Sequence, residues 1–331
     1  MKPFDQLTIR GKARRLRPLA LSALEQYDLD VERLELVRND LNGIFRVRTA
    51  DGRSYLLRVC LPNHHTLETL QAEVAWLQAL EAEPDIAAPA PIPAANGEHI
   101  VTASAPGVPE PRRCMVFSWL PGRPFQRPGV PEEFELLGRL MARLHDHTDR
   151  WQPPEGFTAR RLDRLYSIGD PAGLLGAVNR ERFDGETQHA IAELEARITA
   201  ELDRLFEGRP QVIHADLHHG NVKLYRGTVQ PLDFEDLGWG FPVQDIAISL
   251  FYSLNNPRFP ELREAFQRGY TAIRSWPEER AGQINLLIAQ RGLDLLHYML
   301  SSAFPGAEQW FPAFVNDIHG RYREMAGLAA R

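Results

Sequence analysis

Between two short apolar segments the chain reads His214-Ala215-Asp216-Leu217-His218-His219-Gly220-Asn221-Val222. Gln211–Ile213 precedes this stretch, Val222–Tyr225 closes it and Val229–Asp233 follows; each is long enough for a strand and too short for a helix. Eleven residues after Val222 comes Asp233, inside Pro231-Leu232-Asp233-Phe234-Glu235. A histidine, an aspartate and an asparagine are thus fixed in one loop between strands, and a second aspartate stands at the edge of the next strand. Few chain paths satisfy that order.

The residue types point to separate chemical jobs. Asp216 can accept the proton of an attacking hydroxyl, because an ordinary carboxylate is charged at pH 7, orients the alcohol and takes its proton late. Phosphoryl transfer needs mostly positioning and charge neutralisation, so a weak base suffices. Asn221 lies five residues on, and its amide oxygen is a hard, neutral ligand for magnesium. Asp233 would bridge the same metal to nucleotide phosphates. His214 is read as a support for the loop. Two other classes compete. His214, Asp216, His218 and Asp233 could form the zinc or iron cluster of a hydrolase. The chain could also be a nucleotide-binding regulator without turnover.

Around this loop the pattern is strand-rich first and helical later. Pro18–Tyr27 is expected as a helix with proline in its first turn. Strands are expected at 33–40, 43–49 and 54–60, with Asn42-Gly43 and Asp51-Gly52 as hairpin turns. Leu67–Leu80 has helical period, Pro84–Ala95 reads as a loop, and Cys114–Trp119 as a further strand. Helices are expected over 132–147, 187–206, 245–252, 261–273, 281–300 and 310–325. This predicts an α+β chain with a β-rich lobe over 1–118 and a larger, mainly helical lobe over 119–331.

The chain has 331 residues, 44% hydrophobic and 25% charged, with net charge −6. Without a dominant basic stripe, nucleic acid is not expected as a partner. The apolar run from Ile284 to Leu300 is broken by Asn285, Gln290, Arg291 and Asp294, so no membrane span is expected. Met1–Gln6 carries no apolar signal core. Cys60 and Cys114 form neither a disulfide framework nor a metal knuckle. A cytoplasmic location is expected; the oligomeric state is not legible.

The loop His214–Val222, the segment Leu232-Asp233-Phe234-Glu235-Asp236 and the segment Pro242-Val243-Gln244-Asp245-Ile246-Ala247 together resemble the aminoglycoside phosphotransferase/choline kinase family. Within it, the chain is similar to the stress response kinase A and type II homoserine kinase branch. The resemblance runs from about Leu36 to Tyr252. It implies a two-lobed, protein-kinase-like fold that uses ATP and Mg2+. It puts Arg58 where the phosphate-binding lysine usually sits and Glu73 as its carboxylate partner. Asn42 and Gly43 stand in place of a glycine-rich phosphate loop. Ser118 and Leu120 would meet adenine through their backbone at the hinge. Asp245 is either a helix N-cap or, by the resemblance, a buried brace of the catalytic loop. Ala215 stands where the family usually has glycine, and His219 where proline is common.

Only eleven residues separate Asp233 from Asp245, too few for a regulatory activation loop. The acceptor is therefore expected to be a small-molecule hydroxyl, from an amino alcohol, aminoglycoside or sugar-like compound, or else a protein Ser/Thr. Candidate acceptor residues are Trp239, Asp294, His297, Tyr298, Glu308 and Trp310, a mix suited to a cationic substrate.

Overall fold

The computed structural model describes residues 2–39, 41–127, 129–167, 172–177 and 179–301. The expected helix over 310–325, and with it Glu308 and Trp310, lies outside them. The chain divides into two compact units, Met1–Gly122 with Pro153–Thr158, and Arg123–Gln152 with Ala159–Arg331.

The first unit is built on a six-stranded antiparallel sheet. Its strands are β1 (Val31–Asn39), β2 (Gly43–Thr49), β3 (Ser54–Val59), β4 (Pro91–Ile92), β5 (Ile100–Ala103) and β6 (Arg112–Ser118). The order is β1-β2-β3-β6-β4, with β5 also pairing β6. β2 shows why the sheet has a buried face: Phe45 and Val47 are almost wholly buried while Arg46 and Arg48, between and beyond them, are not. Against that face packs α1 (Ile9–Leu24) through Leu16, Leu19, Ala20 and Ala23. This helix begins nine residues before the expected Pro18 start. Thr8 caps it by accepting from the Gly11 N–H, and Pro18 sits in its interior, where one helical hydrogen bond is forgone. α2 (Leu67–Leu80) is capped by Thr66 and buries Leu70, Val74, Trp76 and Leu77.

The second unit carries helices α3 (Pro131–Arg150), α4 (Gly185–Leu205), α5 (Pro242–Phe251), α6 (Phe259–Thr271) and α7 (Gln283–Ser301). Its strands are β7 (Arg160–Arg161), β8 (Gln211–Ile213), β9 (Val222–Tyr225), β10 (Thr228–Pro231) and β11 (Gly238–Gly240). β7, β11 and β8 form one small sheet, and β9 and β10 form a hairpin.

Helices α3 and α6 approach until backbone meets backbone. A Cβ on Gly138 would collide with the Phe266 carbonyl, and one on Gly269 with the Glu135 carbonyl. Neither carbonyl can move without shifting its helix. Gly138→Ala is therefore expected to destabilise by about 2–3 kcal/mol, read as a lower urea midpoint. An unchanged midpoint would mean that the two helices do not pack this closely.

Candidate active site

The hairpin sets the geometry of the second unit's polar site. Pro231 pairs with Val222 at its open end. One residue further out, the Leu232 N–H donates to the Asn221 carbonyl at 2.9 Å. Asn221 and Asp233 therefore flank the mouth of one hairpin. The expected strand 229–233 stops at Pro231, because Asp233 turns into the left-handed region at φ 64°. Aspartate tolerates that region better than most residues. The turn lets Phe234 bury completely against the His214 ring, with centroids 4.6 Å apart.

Asp216 stands at the centre of this arrangement, its side chain 17% exposed. Asn221 Nδ2 donates both to the Asp216 carbonyl, at 3.0 Å, and to its Oδ2, at 2.7 Å. With the NH2 side committed, Asn221 Oδ1 is the atom left to act as a ligand. Oδ1 of Asp216 accepts from the Tyr252 hydroxyl at 3.1 Å and from Arg291 Nη2 at 2.7 Å. The same Nη2 donates to the Tyr252 oxygen at 2.6 Å. Burial pushes the Asp216 carboxyl up to about 7; Arg291 pulls it back down, while the charges of Asp236 and Asp233 raise it further.

Tyr252 stacks on His218, centroids 3.8 Å apart. Burial, then the positive charges of His219 and Arg291, push the His218 imidazole down to about 3, so it is neutral at pH 7. Its Nδ1 accepts from the Gly220 N–H at 2.9 Å. The proton therefore sits on Nε2, 3.7 Å from Asp216 Oδ2.

The loop is braced from below by Asp245. Of the two readings of this residue, the N-cap is the one that does not hold: Phe241 occupies that position and Pro242 begins α5, which carries Asp245 inward to complete burial. Its carboxylate accepts from the backbone N–H groups of His214, at 3.2 Å, and Ala215, at 2.8 Å, and contacts His145 Nε2 at 3.1 Å. Burial alone would raise its pKa, but the His145 hydrogen bond, the nearby histidine charges and the Ala215 N–H hold it below the usual carboxylate range. Ala215 takes φ 61° to present that N–H. Here lies the physical reason for glycine at this position, since a left-handed non-glycine residue costs about 1–2 kcal/mol. Ala215→Gly is expected to raise stability by up to about 1 kcal/mol, net of the added freedom of the unfolded chain, as measured by denaturant titration.

His214 is wholly buried; its Nε2 meets the Leu232 carbonyl at 3.0 Å, and its Nδ1 accepts from the Asp216 N–H at 3.4 Å. Both ring nitrogens serve the loop. With both His214 ring nitrogens engaged in the loop, that histidine is not offered as a metal ligand, which argues against the hydrolase reading.

In the first unit, Arg58 and Glu73 come together as a buried bidentate pair. Arg58 Nη1 lies 3.0 Å from Glu73 Oε1, Nη2 meets Oε2, and the two residues are 4% and 2% exposed. The arginine is thus an interior cation of β3 rather than a solvated edge residue. Asn42 is buried, and its Oδ1 accepts from the Leu61 N–H at 2.9 Å, tying the start of β2 to the end of β3. Gly43 opens β2 opposite Val59. The Ser118 N–H is committed to the Ala90 carbonyl at 2.8 Å, and its Oγ accepts from the Ala90 N–H at 2.9 Å. Leu120 follows β6.

Of the acceptor candidates, His297 is fully buried against the Tyr166 ring and belongs to the core. Trp239 lies in β11, Tyr298 on α7, and Asp294 accepts from the Ser167 N–H and hydroxyl. The sequence reading missed Arg291 and Tyr252. The available signal for Arg291 was a charge interrupting an otherwise apolar helical run.

Comparison with known proteins gives a consistent answer. A profile described as the phosphotransferase enzyme family matches residues 35–281. Amicoumacin kinase of Bacillus subtilis (strain 168) is 24% identical over 301 residues, covering 84% of this chain and 81% of that protein. Among solved structures, a microcompartment-associated aminopropanol kinase superposes with a TM-score of 0.78 at 24% identity, covering 95% of this chain and 99% of that one. Amicoumacin kinase hAmiN, in complex with AMP-PNP, Ca2+ and Ami, gives 0.72 at 18% identity, covering 97% and 95%. The α+β class expected from the sequence is the observed one. Among the described residues, no helix is long and apolar enough to cross a membrane.

Proposed function

This chain belongs to the phosphotransferase enzyme family, and from that premise we propose a magnesium-dependent kinase that moves the γ-phosphate of ATP to a hydroxyl of a small molecule. The observation that carries the reading is Asp216, held by Asn221 of its own loop, by Tyr252 at the end of α5 and by Arg291 of α7. In the proposed step the acceptor oxygen bonds to the γ-phosphorus as the bond from that phosphorus to the β-phosphate oxygen breaks. The hydroxyl proton goes to Asp216, and ADP leaves. The transition state needs alignment more than a strong base, and three hydrogen-bonding neighbours fix the carboxylate for that purpose.

Asn221 Oδ1 and Asp233 fit a hard divalent cation. One is a neutral amide oxygen and the other a carboxylate, and the mutual repulsion of Asp216, Asp233 and Asp236 favours a cation among them. Magnesium, when bound there, supplies charge neutralisation for the nucleotide phosphates. Arg58, positioned by Glu73, contributes its charge to the α- and β-phosphates, and Asn42 and Gly43 shape the turn before β2. Ser118 and Leu120 mark the segment proposed to meet adenine. The bound AMP-PNP and Ca2+ in the hAmiN complex support a nucleotide and a divalent ion as the working pair.

A small acceptor is favoured over a protein. The names of the similar kinases are those of small-molecule enzymes, and β11 with the start of α5 fills the span between Asp233 and Asp245. The two cysteines are buried thiols rather than a disulfide, which suits a reducing cytoplasm. The test is a screen for ADP release over amino alcohols, aminoglycosides, sugars and hydroxy acids, with and without magnesium. Acceptor-dependent release that stops on chelation is expected. Release that persists undiminished in excess chelator would overturn the reading.

A further inference from the structure

We propose that the pocket beside Asp216 in the second unit is an acceptor subsite for an acidic group, which makes hydroxy acids the preferred acceptors. The inference rests on the kinase reading above, which makes Asp216 the base. The pocket is open, with apolar wall from Leu162 and Leu287 and charged lining from Arg160, Arg164, Arg291 and Asp294. Arg291 joins it to the reaction, since the same side chain binds Asp216.

The charges of this pocket are unevenly answered. Asp294 is satisfied inside the fold by the Ser167 N–H at 2.8 Å and hydroxyl at 3.0 Å, with Arg291 Nη1 3.9 Å away. Arg160 pairs with Asp236 at 3.3 Å. Arg291 spends one nitrogen, Nη2, on both Asp216 and Tyr252, while its Nε–H is buried with no acceptor among the described residues. Arg164 is exposed at the pocket and has no ionic partner among the described residues. A buried charged donor without an acceptor is costly, and guanidinium groups take carboxylates in well-directed, often bidentate pairs. An acidic ligand supplies the partner that exposed Arg164 lacks, and Arg291, whose Nη1 has only Asp294 at 3.9 Å, adds its charge. An ammonium in the same place would face two cations, while the one carboxylate of the lining is already bonded, so the pocket also selects against amines. The aliphatic part of a short hydroxy acid suits the leucine walls. In transfer the carboxylate is unchanged, and the product is the phosphate monoester of the hydroxy acid.

The experiment uses matched series of equal chain length: glycolate, hydroxypropionate and γ-hydroxybutyrate, their amides, and the corresponding amino alcohols. Ester formation is measured by mass spectrometry. Acceptor binding to the full chain is measured separately by calorimetry with a non-hydrolysable ATP analogue. At least one hydroxy acid is expected to exceed its amide by about 10-fold or more in kcat/KM, the scale of one charged hydrogen bond. Arg164→Met should collapse that ratio mainly through KM, and Arg164→Lys should restore part of it. A preference for amino alcohols, or a ratio untouched by Arg164→Met, overturns the proposal. Acid binding that needs Arg164 but leads to no ester keeps the subsite and sinks the kinase reading. Ester formed only from amino alcohols does the reverse.

Discussion

Asp216→Asn lowers kcat by about 10²–10⁴-fold, the usual loss for a positioned general base, and leaves nucleotide KM nearly unchanged. An amide is close in shape to the carboxylate and can still accept from Tyr252 and Arg291 at one oxygen. It cannot take the hydroxyl proton, and its NH2 would face the Asn221 NH2 group that Oδ2 now accepts from. The effect should therefore fall on turnover. Steady-state kinetics with saturating acceptor decide it. A drop in kcat below about tenfold would move the chemistry away from this residue, because that is less than removal of a base costs. Circular dichroism and the urea midpoint report whether the variant stays folded.

The second large effect is on stability. Asp245→Ala leaves the His214 and Ala215 N–H groups and the His145 ring without their acceptor in a fully buried place. Breaking a buried charge network from one side costs about 3–5 kcal/mol, enough to unfold a marginal protein. Asp245→Asn should cost less, because its oxygen in the place of Oδ2 keeps the contacts to the His214 N–H and the His145 ring. The pH dependence has a definite sign. The folded-state pKa of Asp245 lies below the ordinary value, so its contribution is complete above about pH 4, the unfolded carboxylate pKa. It is lost as pH falls through the lower folded value. Wild type should therefore unfold in acid over that range, and the variant's stability should depend less on pH there. Thermal unfolding across a pH series measures this. Equal pH slopes in the two proteins would contradict the account.

How much of this could be read in the sequence depends on locality. The His214–Val222 loop and its two flanking strands were legible because every residue that defines them is a near neighbour. The helix Leu67–Leu80 was legible because its apolar period runs over several turns. Strands as short as Pro91–Ile92, Arg160–Arg161 and Gly238–Gly240 carry no period, and pairing partners far along the chain decide them. Pro18 misled because proline favours a first helical turn, whereas Thr8 supplies the real cap ten residues earlier. Asp245 read equally well as a cap or a brace, and only its place on the buried face of α5 separates the two. Arg291 meets Asp216 across 75 residues of sequence, and no local pattern encodes that contact. In the apolar run of α7 the arginine looked like an interruption, where the fold makes it a neighbour of the candidate base.

The central claim is direct transfer of the terminal phosphate of ATP to an alcohol by this loop. The most direct measurement follows terminally isotope-labelled ATP into product by mass spectrometry, in magnesium, for the wild-type chain and for the Asp216→Asn, Asp233→Asn double variant. The account predicts labelled phosphate in an ester of the acceptor from the wild type and none above background from the double variant. Labelled ester formed at wild-type rate by the double variant would contradict it.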